Sequence, residues 1–118
     1  MSTESLANDF FAAVRDDRRD DYQAMWADDI VSREPGEGPM SHLQGREALL
    51  EKHAWWEANT EVHDQRMEGP YVNGDEFAVH YHMDVTMDGK RHKMSEVGIY
   101  TVRDEKIVEE RFFYPQGE

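Results

Sequence analysis

The stretch DEFAVHYHMDVTMDGKRHKMSEVGIYTVRDEKIVEERFFY, Asp75 to Tyr114, decides the fold. Phe77, Val79, Tyr81, Met83 and Val85 alternate with Ala78, His80, His82 and Asp84. A period of two marks a half-buried strand, because successive side chains point to opposite faces. Asp88-Gly89 follows, a dipeptide that tolerates the positive φ angles of a two-residue hairpin. A second strand is predicted from about Arg91 to Arg103. Asp104-Glu105-Lys106 turns the chain again, and Ile107 to Tyr114 gives a third strand before Pro115. The result is an antiparallel meander, and the upstream chain is expected to cover one of its faces.

Upstream, Ser2 or Thr3 can cap a first helix, and Leu6, Phe10, Ala13 and Val14 share one face of it at helical spacing. The charged run Arg15 to Asp21 reads as a solvated turn. Tyr22, Met25 and Trp26 form the stripe of a short second helix ending near Ala27. Ile30 to Glu34 is a short strand, and Pro35-Gly36-Glu37-Gly38-Pro39 a loop placed to act as a lid or as a plain connection. A third helix runs from Arg46 to about Asn59, with Leu49, Leu50, His53 and Trp56 on its inner side. Adjacent Trp55 and Trp56 cannot both face inward. Val62 to Val72 is a strand in which Gly69-Pro70 marks a bulge or an edge. Asn73-Gly74 then leads into the meander. Strands following helices predict one α+β domain over residues 1–118, with helices on one face of a mainly antiparallel sheet.

Composition narrows the function. The net charge of −13 disfavours nucleic acid and anionic membranes as partners. The chain has no cysteine, which removes disulfides, thiol nucleophiles and thiolate metal sites. Met1 to Asn8 lacks the basic and apolar regions of a signal peptide, and no run approaches the about 20 apolar residues of a membrane span, so a cytoplasmic location is expected. No phosphate loop, serine elbow or dinucleotide fingerprint occurs, and no cofactor is expected.

The element order, with Met25-Trp26-Ala27-Asp28-Asp29-Ile30, Arg33-Glu34-Pro35, Gly45-Arg46-Glu47-Ala48-Leu49 and Val102-Arg103-Asp104-Glu105-Lys106-Ile107-Val108, resembles the cone-shaped nuclear transport factor 2-like (cystatin-like) superfamily. It looks closest to the SnoaL-like polyketide cyclases and the ketosteroid isomerases. The resemblance implies three helices on a curved sheet, a small apolar ligand and a homodimer. In the isomerases a carboxylate before a proline is the general base, and Glu34 stands there. Their oxyanion donors would fall at Phe10 and Gly98, which have no donor side chain. The acid/base aspartate of the cyclases would fall at Phe112.

Strand pairing defines a pocket face without the family. A two-residue Asp88-Gly89 loop sets Tyr81 opposite Glu96, Val79 opposite Gly98 and Phe77 opposite Tyr100. Met83 and Met94 share that face. A three-residue Arg103-Asp104-Glu105 loop adds Glu110 and Phe112, and a two-residue loop adds Glu109 and Arg111 instead. The first register agrees with the resemblance. Glu96 is then a carboxylate among apolar and aromatic groups, where desolvation tunes it for proton transfer. It can share a proton with Glu110 or pair structurally with Arg111. The expected catalytic set is Glu34, Glu96 and Tyr100. The expected binding set is Phe10, Trp26, Trp56, Tyr81, Met83, Met94, Glu110 and Phe112. His80, His82 and Asp84 alternate onto the opposite face with ligand-type side chains, a pattern any polar face can show, and no metal is assigned. Three readings compete: a cofactor-free isomerase, cyclase or hydrolase-type enzyme, a non-catalytic ligand-binding or dimerisation module, and, with the least support, a metal-dependent site at His80 and His82.

Overall fold

A computed structural model of the chain describes residues 2–115. Three helices, α1 (Thr3–Arg15), α2 (Arg19–Gln23) and α3 (Arg46–Asn59), accompany six strands. The strands are β1 (Trp26–Arg33), β2 (His42–Gln44), β3 (Thr60–Asn73), β4 (Glu76–Met87), β5 (Lys90–Arg103) and β6 (Lys106–Phe113). They form one sheet in the order β2-β1-β6-β5-β4-β3. Only β1 and β6 run parallel.

Local chemistry sets the helix ends. The Ser2 hydroxyl accepts a hydrogen bond from the Ser5 amide at 3.0 Å and caps α1. Leu6, Ala7, Phe10 and Ala13 form its buried stripe. The helix packs on β3 and β4, and α3 packs on β1, β2 and β3. Between helices and sheet, Phe10 lies 4.8 Å from Tyr100, and Phe77 stacks on Tyr100 at 4.9 Å between ring centroids. Burying a Phe-sized side chain stabilises by about 1.5–3 kcal/mol, so this aromatic group is a large part of a small core.

The second helix is shorter than predicted. It ends at Gln23, and Trp26 opens β1 rather than closing a helix. Tyr22 and Trp26 are four residues apart and imitate a helical stripe, but Trp26, Ile30 and Ser32 form the buried row of β1. The tertiary partner decides: Trp26 pairs with Ile107, and the Ile107 amide donates to the Met25 carbonyl at 2.8 Å. The charged run is split, with a turn at 16–18 and α2 already begun at Arg19. Three-residue β2, which the sequence pattern does not announce, pairs with β1 from Val31↔Gln44 to Arg33↔His42.

The last hairpin reaches the expected register by a different route. Arg103 pairs with Lys106, so the loop has two residues, and Asp104 and Glu105 both have positive φ (53° and 64°). A bulge between Thr101 and Val102 then inserts Val108 and sets Tyr100 opposite Glu110 and Gly98 opposite Phe112. A two-residue loop alone would have turned Glu109 and Arg111 to the helix-facing side of the sheet. Instead Arg111 pairs with Glu76 at 3.2 Å and approaches Glu109 at 3.8 Å. In β3, an edge strand, the register shifts between Glu68 and Tyr71, around Gly69-Pro70.

Candidate functional site

The site grows from the row of side chains on the helix-facing side of the sheet. Parallel pairing of β1 and β6 puts Ser32 beside Glu110, and both are buried. The Ser32 hydroxyl donates to Glu110 Oε2 at 2.7 Å. Lys52, from α3, donates through Nζ to Ser32 Oγ at 3.2 Å and forms an ion pair with Glu34 Oε2. The same ammonium lies 5.1 Å from the centroid of the Phe112 ring. Tyr114 closes the group by donating its hydroxyl proton to Glu34 Oε1 at 2.7 Å. Lys52 and Glu34 keep only 15% and 21% side-chain exposure, so their attraction is far less screened than at a surface.

Glu96 faces the same interior from β5, opposite Tyr81. Its carboxyl is pushed up to about 7, first by desolvation, then by the negative charge of Glu34, against the opposing pull of Lys52. Burial also raises the Glu110 carboxyl, while Lys52 and the Ser32 hydrogen bond oppose that rise. One lysine therefore serves three inward carboxyls, an unequal charge count that favours protonation of at least one of them near neutral pH. No described side chain hydrogen-bonds to Glu96, and the hydrogen bond of Glu110 goes to Ser32.

A hydroxyl pair lies beside these carboxyls. Tyr81 Oη and Tyr100 Oη are 2.6 Å apart and buried. Burial holds both phenols well above their ordinary range, so they stay protonated and act as donors. One hydroxyl donates to the other, leaving a second proton to aim elsewhere. Gly98 makes the packing possible: a Cβ there would meet Tyr100 Oη at 2.8 Å and Phe112 Cε1 at 3.0 Å. The space that a side chain at 98 would take is filled by the Tyr100 hydroxyl. Glu34 and Tyr114 also line a depression of about 240 Å³ with the 35–41 loop, including Pro35, Met40 and Ser41.

The expected residues separate into groups. Glu34, Glu96, Glu110 and Phe112 converge around Lys52, with Tyr81 and Tyr100 adjacent to Glu96 and Glu110. Met83 and Met94 pair directly, one step further along β4 and β5. Phe10 is a core residue against Phe77 and Tyr100. Trp26 is buried against His53 at 5.0 Å and under the Arg46 guanidinium, in the core rather than among the carboxyls. Trp56 is half-buried, whereas Trp55 is 47% exposed. His53 is a packed, neutral imidazole, lowered to about 4 chiefly by burial. His42 is exposed on β2.

Lys52, Ser32 and Tyr114 were not anticipated. Each had a positional signal. Lys52 follows Leu49 by three and precedes Trp56 by four, on the inner stripe of α3. Ser32 and Glu34 continue the period of two from Ile30, and Tyr114 continues it from Glu110 and Phe112.

The SnoaL-like domain family matches residues 1–114. The chain belongs to that family. Among solved structures, it is 46% identical to a Mesorhizobium loti protein described as a candidate SnoaL-like polyketide cyclase and, in brackets, as a carbohydrate phosphatase. That match covers 97% of this chain and 100% of the other, with a TM-score of 0.92. A cystatin-like protein of unknown function from Xanthomonas campestris is 19% identical, with a TM-score of 0.81 over 98% of this chain and 92% of the other. An M. tuberculosis epoxide hydrolase is 14% identical, with a TM-score of 0.72 over 96% and 82%. At these identities the two show the fold alone, which is cystatin-like. No functionally curated protein matches the chain.

Proposed function

We propose that this SnoaL-like protein is a cofactor-independent enzyme that moves a proton near a carbonyl of a small, largely apolar substrate. The observation that carries the reading is Glu96, an inward carboxyl at about 7 beside a protonated tyrosine pair. A group whose pKa lies near the working pH combines a large reactive fraction with a useful driving force in both directions. In the proposed cycle, ionised Glu96 removes a proton α to the carbonyl. The enolate oxygen accepts a hydrogen bond from the Tyr81–Tyr100 pair, and protonated Glu96 returns the proton to a different carbon or to oxygen. An isomerase ends there. A cyclase would let the enolate attack a second carbonyl of the same molecule before the proton is returned.

Glu34 takes a role different from that implied by the isomerases. Both of its oxygens are already engaged, Oε2 by the Lys52 ammonium and Oε1 by the Tyr114 hydroxyl. It is assigned to holding Lys52 and lining the depression.

The test offers the protein cyclic ketones, β-keto esters and, because a fold neighbour is an epoxide hydrolase, simple epoxides. Carbon–hydrogen exchange in D2O is followed by NMR, and ring opening by mass. Turnover of one class, reduced about 100-fold or more by Glu96→Gln, supports the assignment. Full turnover by Glu96→Gln rules it out. The competing reading, a binding module, is favoured by Phe10, a core aromatic where the isomerases carry a donor. It predicts saturable binding of a ketone with neither exchange nor product.

A further inference from the structure

On the opposite face of the sheet, Glu68 of β3 and His80 and His82 of β4 turn their polar atoms toward one point. The ligand-type atoms of the three residues lie within 4.8 Å of one another. His80 Nδ1 is 3.2 Å and His82 Nε2 3.4 Å from the same oxygen, Glu68 Oε1. With metal–ligand bonds of about 2.0 Å, two ligands of a tetrahedral zinc ion stand about 3.3 Å apart. Both separations fit that edge. The imidazole rings are 4.1 Å apart, as expected for side chains two residues apart on one strand face.

We infer that Glu68, His80 and His82 form a divalent transition-metal site, best suited to Zn2+, with a fourth position open to water. The donor set of two imidazoles and one carboxylate suits zinc and is poor for magnesium or calcium, which prefer all-oxygen shells. The outer shell is also built. The remaining His80 nitrogen, Nε2, lies 2.9 Å from Ser95 Oγ, so an N–H there fixes the tautomer that presents Nδ1 to the ion. The remaining Glu68 oxygen, Oε2, accepts from Arg66 Nη1 at 3.1 Å. Asp84, which continues the strand alternation, is held by two hydrogen bonds from Arg91 at 3.0 Å each. The third ligand is therefore cross-strand Glu68, which pairs with His80 in the sheet.

The test uses tag-free, chelator-treated full-length protein titrated with ZnCl2 and read by native mass spectrometry and calorimetry. One Zn2+ per chain is expected, with no uptake of Mg2+ under the same conditions. His82→Ala and Glu68→Gln should each abolish stoichiometric binding. Ser95→Ala should weaken it about tenfold, the usual size of an outer-shell loss. His63→Ala, at an exposed histidine bonded to Thr86, serves as the control and should bind as the parent does. No bound Zn2+, or binding unaffected by His82→Ala, overturns the assignment. So does a loss as large with His63→Ala as with His82→Ala, the signature of adventitious surface binding. Circular dichroism of each variant separates loss of ligand from loss of fold.

Discussion

Glu96→Gln should make this protein more stable at pH 8 and change little at pH 4.5. The carboxyl rises from its usual 4.5 to about 7 in the folded chain. At about 1.4 kcal/mol for each tenfold in proton affinity, ionising Glu96 inside the fold costs about 3 kcal/mol more than in the unfolded chain. The sign follows from proton counting. Between pH 4.5 and 7 the native state holds more protons than the unfolded state, so stability falls as pH rises through that window and stays low above it. Glutamine keeps the shape of the neutral acid and cannot ionise. The variant should therefore gain about 3 kcal/mol at pH 8, about 10 °C in Tm for a domain of this size. Urea denaturation of both proteins at pH 4.5, 6, 7 and 8 gives the difference directly, because acid effects elsewhere are common to both. A difference that is flat with pH, or a variant less stable at pH 8, would refute the burial argument.

Three further outcomes follow from the same geometry. Lys52→Met removes the cation shared by Glu34 and the Ser32–Glu110 pair, and should cost about 2 kcal/mol at pH 7, below the range for a fully buried pair because both partners keep some exposure. It should also move the Glu96 titration upward, since Lys52 now pulls it down, and the alkaline shift can be followed by NMR. Gly98→Ala drives a methyl against the Tyr100 hydroxyl and the Phe112 ring, and should destabilise by about 1–3 kcal/mol in urea melts. His53 should remain neutral down to about pH 4 in a proton NMR titration. Because its folded value lies below the ordinary 6.5, its contribution is present above 6.5 and is lost as pH falls toward 4.

The meander was legible because every clue in it agreed: alternation, an Asp-Gly turn and aromatic strand formers. Pairing of Tyr81 with Glu96 and of Phe77 with Tyr100 follows from one loop length. The facing of Glu110 was reached through a three-residue loop, whereas the chain uses two residues and a bulge. A bulge leaves no periodic mark, since Val108 is as apolar as a paired residue would be. Trp26 misled because four-residue spacing from Tyr22 satisfies a helix, and the competing strand row is interrupted by Asp28. Residues His42 to Gln44 carry too few apolar groups to announce a strand, and they pair because β1 offers an open edge.

The site was only half visible for a related reason. Carboxylates on an apolar strand face stand out as misplaced charges. Lys52 does not, because a lysine on a helix is ordinary until Glu110 of the sheet and Glu34, just past β1, are known to lie beneath it. The ligand trio of the outer face was likewise out of reach: His80 and His82 are read from one strand, but Glu68 joins them only through the β3–β4 register.

The most direct test of the central claim, that one inward carboxyl is poised for proton transfer at neutral pH, is a 13C NMR titration of the glutamate side-chain carboxyls from pH 3 to 9, assigned by Glu96→Gln. A resonance absent from the variant should titrate near 7. If every glutamate carboxyl, Glu96 included, titrates below 5, the interior is not dry enough to tune it and the acid–base reading is contradicted.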